Sequence, residues 1–194
     1  STFNQTDRAK EIINMFKHQH VDGLIITPTI GLEEEIIQLQ KEKKPFVLFD
    51  RYFKNISTNT VVLNNKMAAY ESCQHLIQNN YKNIAFITID SKQNQMEERL
   101  DGYLEAIEDT NLLPTVLVIN FEESIDNKIA QIKSFLEKEK SCDAILFSTN
   151  YLTIRGLAAI NQLGKKIPED YGVLTFDDHE IFQMQIPAIT AMQQ

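Results

Sequence analysis

The sequence predicts an α/β protein built on parallel sheets. Two observations carry this reading. Short, almost unbroken apolar runs alternate with segments of helical spacing along nearly the whole chain. Those runs also lack the polar–apolar alternation of a sheet with one wet face, so helices should cover the strands on both sides. Right-handed crossovers are then expected between successive parallel strands.

The first helix rests on Ala9, Ile12, Ile13 and Phe16, with Asp7 as its first-turn acid or cap. Residues 21–26 read as a buried strand, stopped by Thr27-Pro28-Thr29. Leu32, Ile36, Ile37 and Leu39 give a second helix, whose opening Glu33, Glu34 and Glu35 suit the positive end of its dipole. Strands follow at 45–49, ending at Asp50-Arg51, and at 60–63, ending at Asn64-Asn65. A long helix then carries Met67, Ala68, Tyr70, Leu76 and Ile77. Beyond it come a strand at 84–88, a helix at 95–108, a strand at 116–119 and a helix at 125–138. The series closes with a strand at 143–147, a helix at 150–163 and a strand at 171–176. Gly164 suits the left-handed residue that follows a helix.

Composition narrows the function. The 194 residues include 19 basic and 27 acidic side chains, a net charge of −8 with no basic stripe, so this polypeptide by itself is a poor nucleic-acid binder. No apolar run approaches the roughly 18 residues that a membrane span needs. The polar first residues lack the basic-then-apolar layout of a signal peptide. Cys73 and Cys142 have neither metal spacing nor a disulfide framework and read as buried, reduced thiols.

Catalytic motifs are missing from the sequence: there is no G-x-S-x-G, H-E-x-x-H, G-x-G-x-x-G or P-loop. His18 and His20 point to different faces of a helix and cannot chelate together. His75 reads as packed and hydrogen-bonded, and His179 has no nucleophile beside it. No catalytic residue, metal site or cofactor is expected.

In open α/β sheets, ligands bind outside the carboxyl ends of the strands. Those ends offer Asp50, Asn65, Phe121, Asn150 and Asp177, with Arg99 early in a helix. Carboxylates, an amide and a guanidinium can each hold neighbouring hydroxyls through paired hydrogen bonds, and an aromatic can lie against an apolar ring face. Asp and Asn after a strand also serve turns and caps for purely local reasons. Gathered at one topological position, they favour a ligand site.

The order of segments resembles the effector-binding core of the LacI/GalR family of transcription regulators, itself similar to periplasmic sugar-binding proteins. The resemblance runs through residues 20–28, 45–51, 75–77, 82–87, 98–103, 143–150, 172–178 and 186–190. It implies two Rossmann-like, parallel-sheet lobes of the type I periplasmic-binding-protein kind, with a sugar or related effector held in the cleft between them. The first lobe would take residues 1–64 and the second 65–186, with 187–194 crossing back toward the first. By the same resemblance, Asp50, Arg99, Phe121, Asn150, Asp177 and Gln194 would contact the effector, while Asp178 would support its loop.

The resemblance further implies a cytoplasmic homodimer that reaches operator DNA through an N-terminal headpiece absent from this sequence, with no membrane partner. The fold would be incomplete at both ends. The alternative it leaves open is a periplasmic sugar-binding protein of a transport system. The chain departs from the family pattern at Asn64-Asn65, where Asp-Asn is usual, at Asn80-Tyr81, where Gly-His is usual, and at Tyr151, where an Asp commonly follows the Asn.

Overall fold

The computed structural model describes residues 5–19, 21–91 and 93–193. The chain divides into two compact units. One is Ser1–Leu63 with Lys92–Asn94, and the other is Asn64–Ser91 with Gln95–Gln194.

The first unit holds α1 (Thr6–His18), β1 (Leu24–Ile26), α2 (Glu33–Lys41), β2 (Phe46–Phe49) and β3 (Thr60–Val61). Its three strands are parallel in the order β1-β2-β3, with Leu24 beside Phe46 and Leu48 beside Thr60. Ala9 and Ile13 of α1 and Ile36 and Leu39 of α2 close over Leu24, Ile26, Phe46 and Leu48. Side chains alternate across a strand, so Ile25, Phe49 and Val61 emerge on the other face, where all three are exposed. The expectation of helices on both faces therefore fails for this sheet within the described residues. Both of its helices pack on one side.

The second unit meets that expectation. It contains α3 (Asn65–Gln78), β4 (Ile84–Asp90), α4 (Asn94–Asp109), β5 (Thr115–Asn120), α5 (Ile125–Lys138), β6 (Ala144–Phe147), α6 (Asn150–Gln162), β7 (Gly172–Phe176), α7 (Glu180–Gln183) and β8 (Thr190–Met192). The sheet is parallel throughout, in the order β5-β4-β6-β7-β8. Ala69, Cys73, Tyr103 and Ala106 from α3 and α4 pack on Ile84, Phe86, Leu146 and Leu174. On the opposite face, Ile132, Leu136, Leu152, Ala159 and Phe182 pack on Ala85, Ile87, Ile145, Phe147 and Val173. Ile84 through Ile87 are therefore fully buried in succession, which is why this strand reads as a continuous apolar run. Each such Ile or Phe contributes about 1.5–3 kcal/mol by leaving water.

Local signals set the helix ends. The Asn64, Ser124 and Thr149 side chains accept the N–H groups of Met67, Asn127 and Leu152 at the starts of α3, α5 and α6. Gly164, with φ +66°, closes α6 as its spacing predicts. Within 187–194, read from the sequence as a crossover, Thr190–Met192 forms β8 beside β7. Three residues are too few for a strand's periodicity to show.

Candidate functional site

The strand order of the second unit turns at β4: the chain runs outward to β5, then returns to β6 on the other side. Ligands settle outside the strand ends at such a point. The ends of β6 and β7 meet there around one side chain, Arg99, from the helix that follows β4.

Arg99 lies in the second turn of α4 and is 3% exposed. Its Nε donates to Asn65 Oδ1 at 2.9 Å, and one terminal nitrogen donates to the Ser148 carbonyl at 2.6 Å. The guanidinium carbon stands 4.1 Å from the centroid of the Phe176 ring, close enough for a cation–π contact. The same terminal nitrogen is 3.9 Å from Asp177 Oδ2. Asn65 is itself fixed, donating from Nδ2 to Glu98 at 3.2 Å. Held from three sides, the guanidinium presents a preset fork of donors beside a carboxylate.

Asp177 ends β7 with φ +64°, in the left-handed region that costs an ordinary L residue roughly 1–2 kcal/mol. Its backbone N–H donates to the Met192 carbonyl across β8. Asp50 ends β2 in the first unit with φ +69°, and its N–H donates to the Val61 carbonyl across β3. The two aspartates thus share one local device, a strand end turned by a left-handed acid. Strained non-glycine residues of this kind concentrate at functional sites.

Asn150 opens α6, and Thr149 rather than Asn150 caps that helix. Phe121 follows β5 with its ring half exposed. Gln194 lies outside the described residues. Asp178 accepts the His179 N–H and both contacts from Gln183 Nε2, so it holds its own loop. His179 Nδ1 caps α7. His75 departs from the sequence reading: it is exposed and touches Asn79 at the end of its helix, because it falls on the outer side of α3. Among the described residues, no group of three His, Cys, Asp or Glu side chains could hold a metal ion. No described helix is long and apolar enough to cross a membrane.

Residues 1–184 match the family model for periplasmic binding proteins and the sugar-binding domain of the LacI family. The chain belongs to this family. Over 194 residues it is 26% identical to a ribose operon repressor of Halalkalibacterium halodurans, covering all of this chain and 57% of that protein. Over 198 residues it is 24% identical to the HTH-type transcriptional repressor PurR of Aliivibrio salmonicida, covering 59% of it. The chain thus spans less than two thirds of these relatives' length. Among solved structures it resembles the transcription regulator CcpA of Lactococcus lactis, with a TM-score of 0.80, 25% identity, and coverage of 98% of this chain and 70% of that one. It also shares the fold of the transcriptional regulator CelR in its cellobiose complex, with a TM-score of 0.80, 22% identity, and coverage of 95% and 57%.

Sequence reasoning did not find the groups that hold Arg99, namely the Ser148 carbonyl and the Phe176 ring. It also passed over Lys128 and Arg155, which approach Tyr151 from α5 and α6. One signal was available: Tyr151 and Arg155 are four residues apart on a helix, and so lie on the same face.

Proposed function

We propose that this chain is the effector-sensing part of a bacterial LacI-type transcription regulator. A small molecule, a sugar or a relative of one, would be gripped by Arg99, Asn150 and Asp177, with Phe121 against its ring face. Asp50 and Gln194 complete the proposed ligand set. The observation that carries this reading is Arg99 itself: a nearly buried guanidinium, oriented by Asn65, Ser148 and Phe176, beside a carboxylate held in a strained conformation. That arrangement fixes donors and acceptors for hydroxyl groups and brings no nucleophile–base pair, so binding without turnover is its role.

In the longer protein, the effector would favour one of two states by binding it more tightly, and so change operator occupancy. We place residues 1–64 and 65–186 in two lobes, with 187–194 leading back toward the first. The working form is a cytoplasmic homodimer that reaches DNA through a headpiece elsewhere in the polypeptide. The names of the curated relatives, operon and transcriptional repressors, support a regulator over a transport protein.

The test is calorimetry on the complete protein against a panel of sugars, sugar acids and sugar phosphates. Arg99→Ala and Asp177→Ala should abolish binding of the effector so found while leaving helix content intact by circular dichroism. Unaltered affinity in both variants would overturn the assignment.

A further inference from the structure

The second unit buries a cation that pairs with no carboxylate. Lys128 is 2% exposed, a rare position for an ammonium group. Its Nζ donates to the carbonyls of Phe121 at 2.6 Å and Glu123 at 2.5 Å, using two of its three N–H groups. The same nitrogen lies 5.3 Å from the centroid of the Tyr151 ring and 5.7 Å from that of Phe121. One turn further along α6, the Arg155 guanidinium stands 5.0 Å from the Tyr151 centroid, and its buried Nε has no hydrogen-bond partner. Among the described residues, neither cation has a carboxylate within 4.0 Å.

Withdrawing charge from water is costly unless an opposite charge compensates it. Carbonyl oxygens and ring faces supply only partial negative charge. Of the 27 acidic residues, none brings a carboxylate within 4.0 Å of either cation. Hydrogen bonding from Lys128, then the Lys128 charge and the hydrogen bond and charge of Arg155, outweigh burial and hold the Tyr151 phenol below its ordinary value.

We infer that Lys128, Tyr151 and Arg155 form a subsite for one anionic group, a carboxylate or a phosphate, carried by the molecule this unit binds. The inference rests on the effector-binding reading above and narrows it: the effector is an acidic or phosphorylated compound, and a neutral sugar lacks the group this subsite takes. Phe121 links the two places, since its carbonyl fixes Lys128 while its exposed ring belongs to the proposed ligand set. Asn150, of the same set, immediately precedes Tyr151. An arginine fork and a phenol beside the buried lysine charge suit the several acceptor oxygens of one anion.

The test titrates the complete protein with inorganic phosphate, gluconate and glucose at matched ionic strength, with sodium chloride as the control. The readout is the tyrosine difference spectrum, assigned to Tyr151 by subtracting that of Tyr151→Phe. Phosphate, gluconate or both should perturb the Tyr151 signal and saturate, and comparing the two tells which anion the subsite prefers. Glucose and chloride should leave that signal alone. Lys128→Met and Arg155→Gln should each weaken the response about tenfold, equivalent to about 1.4 kcal/mol. Should Lys128→Met not fold, because the 121–124 loop loses its donor, the partly exposed Arg155→Gln decides alone.

Silence from both anions, or variants that respond like the parent protein, would overturn the subsite. A neutral sugar that binds through Arg99 while both anion arms stay silent would spare the effector reading and overturn this one. An anion response with no Arg99-dependent ligand in the panel would do the reverse.

Discussion

Asn65 Oδ1 accepts a 2.9 Å hydrogen bond from Nε of the nearly buried Arg99, joining the first turn of α3 to the second turn of α4. The bond sets the plane of the guanidinium, and with it the direction of the donors facing Asp177. Asn65→Ala should cost about 1–3 kcal/mol of stability, because it removes an acceptor from a buried charged donor. It should also lower effector affinity, although Asn65 need not touch the ligand. Urea denaturation and calorimetry measured together check both effects. Full affinity in a destabilised variant would show that Arg99 orients itself without Asn65.

The same pair of helices depends on a missing side chain. A Cβ built on Gly102 would sit 2.0 Å from the Lys66 carbonyl oxygen and 3.0 Å from Ala69 Cβ. The obstacle is backbone, so no rotamer change relieves it. Gly102→Ala should destabilise the protein by about 1–3 kcal/mol or more through overpacking that pushes α3 from α4. Chemical denaturation checks this, and a neutral result would mean that the helices separate without cost.

Much of this architecture was legible in the chain. Alternating apolar runs reveal seven of the strands, and the rule for strand ends points to Asp50, Asn150 and Asp177. What stayed hidden depends on distance along the sequence. Asn65 and Arg99 are 34 residues apart, and Lys128 approaches Tyr151 from a different helix. No local spacing encodes either meeting. The exposed face of the first sheet was also unreadable, because a strand buried on one side and bare on the other looks the same when Ile25, Phe49 and Val61 are all apolar. Asn64 caps α3, a task an aspartate would perform equally well, so the departure there leaves the helix start intact.

Helices α3 and α6 end in the same motif with different residues. Asn80 and Gly164 both have positive φ, 70° and 66°. In each case the next N–H reaches back five residues, from Tyr81 to Leu76 and from Lys165 to Ile160. Glycine takes this conformation at little cost, whereas asparagine only tolerates it. Asn80→Gly should therefore raise stability by a few tenths to about 1 kcal/mol, and Gly164→Asn should lower it by a similar amount. Nothing lies within 4 Å of a Cβ at Gly164, so the second change tests backbone preference free of steric conflict. Melting curves of the two variants should move in opposite directions. A shift of the same sign in both would refute the shared motif as the cause.

Alkaline pH should unfold the second unit through its buried acids. Burial pushes the Cys73 thiol up to about 12 and the Cys142 thiol up to about 11, from an ordinary value near 9.0. It likewise pushes the Tyr103 phenol up to about 12, from near 10.0. Below pH 9 these groups are neutral whether the chain is folded or not, and they contribute no pH dependence. As pH rises past 9, the unfolded chain loses these protons while the folded chain keeps them, so the folded state binds more protons and stability falls. The decline should run from about pH 9 toward 12 and be shallower in Cys73→Ala, which removes one of the three groups. Urea midpoints collected across that range check the slope. The same burial keeps both thiols protonated and shielded, so a thiol reagent at pH 8 should react only after denaturant exposes them. Rapid labelling of native protein would contradict the burial of Cys73 between α3 and the sheet.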